Sequence, residues 1–165
     1  MRHTTLFLMF LLLLAGSSQA ADSVLSSGRW YKVGMSETGI HRLTYNDLSG
    51  LGLDPESINP KHIRMFHNGG GVVNELNAQP RFADLMEIPI YVAGESDGRF
   101  DRDDYILFYA RGPVTWSYNS SKEAFIHTPN AYDDYAYAFI TVDLGEGLRL
   151  STATPPSAAA NVNVN

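Results

Sequence analysis

Apolar residues fall along this chain in short runs, separated by stretches rich in glycine, proline and acidic side chains. The clearest case is residues 84–113, DLMEIPIYVAGESDGRFDRDDYILFYARGP. Residues 86–92 and 105–110 are dense in Ile, Tyr, Phe and Val, which fit a pleated, half-buried surface. They predict two strands flanking a loop that is long for a plain hairpin and carries Glu95, Asp97, Asp101, Asp103 and Asp104.

The same punctuation organises the rest. Residues 28–35 alternate as a strand with Trp30 and Lys32 on one face, Thr38-Gly39 reads as a turn, and residues 40–44 read as the returning strand. These two are expected to form a hairpin. Thr44 then caps a short helix with Asp47 three residues on, and Gly50, Gly52 and Pro55 end it after little more than about two turns. Residues 63–66 form a compact apolar run, His67-Asn68-Gly69-Gly70-Gly71 turns the chain sharply, and Val72 and Val73 restart it. Beyond Gly112-Pro113, Trp116 and Tyr118 are expected on a polar loop that reaches Pro129. Residues 136–143 are the cleanest late strand, with residues 148–151 expected to pair with it across Gly145-Glu146-Gly147. Roughly seven strands against one or two helices predict an all-β fold, a β-sandwich-like antiparallel domain with one short helix.

The ends change the picture. Arg2 and His3, the apolar residues 6–15 and the small residues around Ser18-Gln19-Ala20 read as an export signal over residues 1–20, with a mature start at Ala21. The apolar run is far shorter than the roughly twenty residues a membrane-spanning helix needs, so no transmembrane segment is expected. Residues 21–152 then make one N-terminal β domain, long enough for a core of its own. Residues 153–165 read as a linker (Thr-Pro-Pro-Ser-Ala-Ala-Ala at 154–160) leading into Asn-Val-Asn-Val-Asn, the start of a truncated next element.

Composition excludes several chemistries. With no cysteine, the chain has neither disulfides nor a thiol nucleophile, thiolate zinc site or iron–sulfur centre. The formal charge of −6 and the lack of any basic block argue against nucleic acid as a partner.

Four constellations carry candidate chemistry. The acidic loop partly fits a calcium loop with Gly98 at the sharp turn, taking oxygen from Glu95, Asp97, the Arg99 carbonyl, Asp101 through water and Asp104. Ala93 occupies the first ligand position, however, and a strand stands where a helix should follow. The simpler reading is a solvated turn in which Arg99 and Arg102 offset the carboxylates. His67 to Gly71 has the glycine content of an oxyanion loop, yet no G-x-S-x-G elbow exists and no Lys follows to make a phosphate loop; a tight turn is the better reading. His41, His62, His67 and His127 show no metal-ligand spacing and read as packing or surface residues. Trp116 and Tyr118, beside Ser117 and Asn119, suit a sugar-stacking platform, although aromatics in β domains more often fill the core. Asn119-Ser120-Ser121 formally matches a glycosylation acceptor. No residue is assigned as catalytic, cofactor-binding or metal-ligating.

Four blocks taken in order resemble the N-terminal region of the PorU-like sortases of the type IX secretion system, exported gingipain-family cysteine peptidases. They are SGRWYKVGMSETGIHRLTYNDL (27–48), IRMFHNGGG (63–71), DLMEIPIYVAGESDGRFDRDDYILFYARGP (84–113) and FIHTPNAYDDYAYAFITVD (125–143). The resemblance implies a parent enzyme at the cell surface and outer membrane of a Gram-negative bacterium. That enzyme would remove the C-terminal sorting domain from secreted cargo beside an outer-membrane β-barrel partner. The family's catalytic Cys and His belong to a downstream peptidase domain, so none of them maps onto this chain. What is implied here is the non-catalytic domain ahead of the enzyme. The alternatives are a stand-alone secreted carbohydrate- or calcium-binding module, or a gingipain-like propeptide.

Overall fold

The computed structural model describes residues 22–73, 76 and 78–153. The export signal at 1–20, its cleavage before Ala21, the linker from 154 onward and the terminal Asn-Val alternation lie outside these residues. Among the described residues the fold is all-β: nine strands, one α-helix and four short 3-10 turns.

Two antiparallel sheets share one core. The first has the strand order β1-β9-β3-β4 and the second β2-β6-β5. Their ranges are β1 Tyr31–Met35, β2 Gly39–Thr44, β3 Arg64–His67, β4 Met86–Ile88, β5 Tyr91–Ala93, β6 Tyr105–Ala110 and β9 Ala136–Thr141. Alternation decides what each sheet turns inward. Ala136, Ala138 and Ile140 of β9 face Ile106, Phe108 and Ala110 of β6 across the core, joined by Met35, Leu43, Met65 and Val92. Two faces with largely period-two burial leave a sandwich as the way to dry both.

The first two strands do not form the expected hairpin. β1 pairs with β9 and β2 with β6, so Ser36-Glu37-Thr38 carries the chain from one sheet to the other. Both strands present a half-buried face, Val33 and Met35 in one and Leu43 in the other. The more apolar β9 and β6 take up the hydrogen-bonding edges that each would have offered the other.

A second sheet switch divides the predicted strand at 86–92. Its first half is β4, paired with β3, and its second is β5, paired with β6. Pro89 sits between them, with no N–H to give a continuous ladder. The next residue, Ile90, is fully buried and forms a parallel bridge with Arg149. Residues 148–151 are therefore tied to Ile90, not to β9. Val72 and Val73, expected to restart a strand, are exposed coil.

The helix α1, Tyr45–Gly50, follows the sequence reading closely. The Asp47 N–H donates to the Thr44 hydroxyl while the Asp47 carboxylate accepts from the Thr44 N–H, a full capping box. Leu48 is its single buried residue. No helix among the described residues is long and apolar enough to cross a membrane.

The region between 115 and 128 departs most from expectation. It is a two-stranded ribbon, β7 Thr115–Asn119 and β8 Ala124–Thr128, that belongs to neither sheet. The alternation of Trp116 and Tyr118 against Phe125 and His127 is a strand pattern, and Ser120 to Glu123 supplies the turn.

Candidate functional site

The site begins at a node of glycines where the two sheets meet. Gly69, Gly70 and Gly71 all take positive φ, at 89°, 68° and 70°. A Cβ on Gly70 would lie 2.6 Å from the Arg111 carbonyl oxygen, and one on Gly71 would lie 2.5 Å from Thr115 Cγ2. Only glycine allows both the conformation and the approach. On the other side of residue 111, a Cβ on Gly112 would sit 2.6 Å from the Glu37 carbonyl carbon. Two hydrogen bonds pin the node: Gly112 N–H donates to Thr38 Oγ1 at 2.9 Å, and Gly71 N–H to the Gly112 carbonyl at 3.2 Å.

His67 locks this junction from the core side. It is buried, with Nδ1 3.0 Å from the Tyr137 carbonyl, while Nε2 accepts the Arg111 N–H at 3.3 Å. The acceptor role of Nε2 leaves the proton on Nδ1, which donates to the carbonyl. His67 is thus a structural bridge between β3, the end of β6 and β9. Both of its ring nitrogens are taken up by backbone groups.

Above the node opens a concavity of about 740 Å³, bordered by Ser36, Glu37, Thr38, Arg111, Trp116 and His127. One wall is the sheet-to-sheet link and the opposite wall is the ribbon. Along one ribbon face Trp116 lies opposite His127, their ring centroids 3.6 Å apart, and Tyr118 lies opposite Phe125 at 5.4 Å. Trp116 is 64% exposed, Tyr118 59% and Phe125 65%, so the aromatic face is not part of the core. A smaller concavity of about 320 Å³ lies near Lys32, Asn130 and Asp133. There the Lys32 ammonium sits 3.4 Å from the Tyr137 ring centre.

Two charged groups of the cleft, on Glu37 and Arg111, stand outside the fold's ion pairs. Arg29, Arg64 and Arg149 make ion pairs with Asp143, Glu87 and Glu95, and Arg42 and Arg102 lie over Tyr105 and Tyr45. By contrast the Arg111 guanidinium and the Glu37 carboxylate have no such partner among the described residues.

The acidic loop is a turn in which two carboxylates, those of Asp97 and Asp104, cap its own backbone. Glu95–Asp97 forms a 3-10 turn between Gly94 and Gly98, both at positive φ. Asp97 accepts the Arg99 N–H at 3.0 Å, and Asp104 accepts the Asp101 N–H at 2.8 Å. Phe100, fully buried, anchors the loop to the core. The positive charge beside Glu95 comes from Arg149 at 2.7 Å, not from Arg99 or Arg102 as expected. Arg149 also donates to the Ile63 and Pro60 carbonyls, which fixes the chain's last described segment against the body.

The remaining histidines are dispersed. His41 stacks on Phe108, His62 ends a 3-10 turn, and His127 lies against Trp116. Among the described residues no three His, Asp or Glu side chains gather at metal-binding spacing. The Asn119 carboxamide accepts from Lys122 N–H at 3.0 Å and holds the ribbon's turn.

Glu37 and Arg111 were not singled out from the sequence. They border one cleft because β2 pairs with β6, which sets Gly39 opposite Ala110 and runs residues 37–38 past 111–112, and no local signal encodes that pairing. The ribbon was legible in principle, since TWSYN and AFIHT both alternate around a polar turn.

No protein-family model matches the chain, and no curated protein matches it either. Among solved structures it is similar to dimeric latent PorU from Porphyromonas gingivalis, with a TM-score of 0.63 and 31% sequence identity. The likeness covers 88% of this chain but only 12% of that protein. With no cysteine in its 165 residues, the chain is not itself a cysteine peptidase. In fold and sequence it is related to one region of PorU, a region about an eighth of that protein's length.

Proposed function

We propose that this chain is the non-catalytic N-terminal domain of an exported, type IX secretion system sortase-like cysteine peptidase. The parent enzyme would process the C-terminal sorting domain of secreted cargo at the cell surface. The observation that carries this reading is the likeness to PorU, which runs over nearly the whole chain in sequence and in fold together. The absence of cysteine is consistent with it, because the nucleophile of such an enzyme would lie elsewhere in the polypeptide.

In this role the domain works by contact. It would pack against the downstream peptidase domain or an outer-membrane β-barrel partner and orient one on the other. Its outer surface is suited to that: on the second sheet Ile40, Tyr91 and Tyr109 are all exposed.

The test is genetic. Removing residues 22–153 in frame from the parent gene should leave the peptidase domain in the envelope while cargo accumulates with uncleaved sorting domains. Normal cargo processing in that strain would overturn the reading. The purified chain should also hydrolyse no peptide in the presence of reductant.

A further inference from the structure

We infer that the cleft between the Ser36-Glu37-Thr38 link and the ribbon is a saccharide-binding site, with Trp116 as its stacking platform. The inference does not depend on the proposed function; it holds whether the domain stands alone or leads a peptidase.

Three observations converge on it. The first is the state of the Trp116 ring. One face lies against His127 at 3.6 Å, which fixes the ring's attitude, while the side chain remains 64% exposed at the mouth of the cleft. A large aromatic ring backed on one side and open on the other offers a flat, C–H-rich ligand a face to land on.

The second is the set of polar groups opposite. The Arg111 guanidinium and Glu37 carboxylate border the cleft and have no ion-pair or ring partner among the described residues, unlike the other arginines that the fold uses. A planar donor fork and a carboxylate acceptor together match vicinal hydroxyls, each of which both donates and accepts. The Ser36 hydroxyl adds a third group at the same wall. An apolar peptide side chain would leave these groups desolvated and unpaired, and that is costly. The chemistry of the rim therefore favours a sugar over a hydrophobic peptide.

The third is rigidity. The floor is the glycine node, where Gly70, Gly71 and Gly112 bring three backbone segments into direct contact and His67 bridges them from below. The base of the ribbon, at Thr115, is packed against this node, so the two walls share one floor. The volume, about 740 Å³, fits a short oligosaccharide. Tyr118, two residues along the same ribbon face, lies about 7 Å further on and extends the platform.

The test uses the purified full chain and a panel of hexasaccharides of glucose, mannose, galactose, N-acetylglucosamine and galacturonate. Tryptophan fluorescence and the Trp116 indole N–H resonance are followed up to about 10 mM sugar, a range that captures weak binding. At least one sugar should shift both signals. Trp116→Ala should abolish binding, and Arg111→Gln should weaken it roughly tenfold, the loss of one good polar contact. The Arg111 guanidinium makes no ion pair or ring contact among the described residues, so that variant keeps the test valid even if Trp116→Ala loosens the ribbon. No response to any sugar, unchanged affinity in Arg111→Gln, or a response to short peptides in place of sugars would each overturn the inference.

Discussion

At the scale of single residues, His67 shows how a chemically able side chain can be wholly absorbed by structure. It satisfies a carbonyl on β9 and an N–H at the end of β6 from a position with almost no exposure. His67→Leu fills similar space but orphans both backbone groups, at about 1–3 kcal/mol for each. Urea titration should show that loss, and a change under about 0.5 kcal/mol would mean that water replaces the imidazole. The exposed carboxylates give a second prediction. Asp84 is held below the ordinary carboxylate range by the N–H groups of Val24 and Leu85, and Asp143 by the side chain and then the N–H of Arg29. Asp47, held by Thr44, and Asp133, held by the Tyr137 hydroxyl, are lowered in the same sense. A carboxyl group whose pKa is depressed in the folded state contributes stability above its unfolded value, and that contribution is lost as pH falls through the folded value. The urea midpoint should therefore be insensitive to these groups from pH 7 to 5 and fall below about pH 4. Asp84→Asn should lower the midpoint at pH 7 and flatten the acid decline. An unchanged acid slope in that variant would remove Asp84 from the account.

At the scale of elements, glycine surroundings matter more than glycine conformation. Gly70 and Gly98 both have positive φ, at 68° and 81°, but Gly98 would have nothing within 4 Å of an added Cβ whereas Gly70 meets the Arg111 backbone. Gly98→Ala should cost about 1–2 kcal/mol, the left-handed penalty alone. Gly70→Ala should cost roughly 2–5 kcal/mol, because the overlap adds to it. Equal losses in the two variants would show that the node gives way easily. Elements also mark where sequence is legible. The helix was readable because its capping box lies within four consecutive residues, Thr44 to Asp47. The strands β6 and β9 were readable because alternation is local. The pairing of β1 and β2 was not, since a three-residue link between two half-buried strands serves a sheet crossing as well as a hairpin. Pro89 was the visible warning that residues 86–92 would not run as one strand. The ribbon reads as a loop because its polar turn and paired threonines hide the alternation of Trp116 and Tyr118 with Phe125 and His127.

At the scale of the whole molecule, the sandwich class followed from period-two burial in many short runs, and the core residues are those that alternation marks. The cleft was half legible: Trp116 and Tyr118 stood out as aromatics among polar neighbours, while Glu37 and Arg111 needed the sheet topology to bring them together. The β domain, which has no thiol, resembles a region that makes up 12% of PorU, and the proposed function sets it at the head of a longer chain. The most direct test of that account is an immunoblot of the source cell envelope with antibody raised against residues 22–153. The account predicts a band far larger than the 18.2 kDa of this chain, from a protein with thiol-dependent peptidase activity. A band only at or below 18.2 kDa would contradict it and leave a self-contained secreted domain whose work is done by its own cleft.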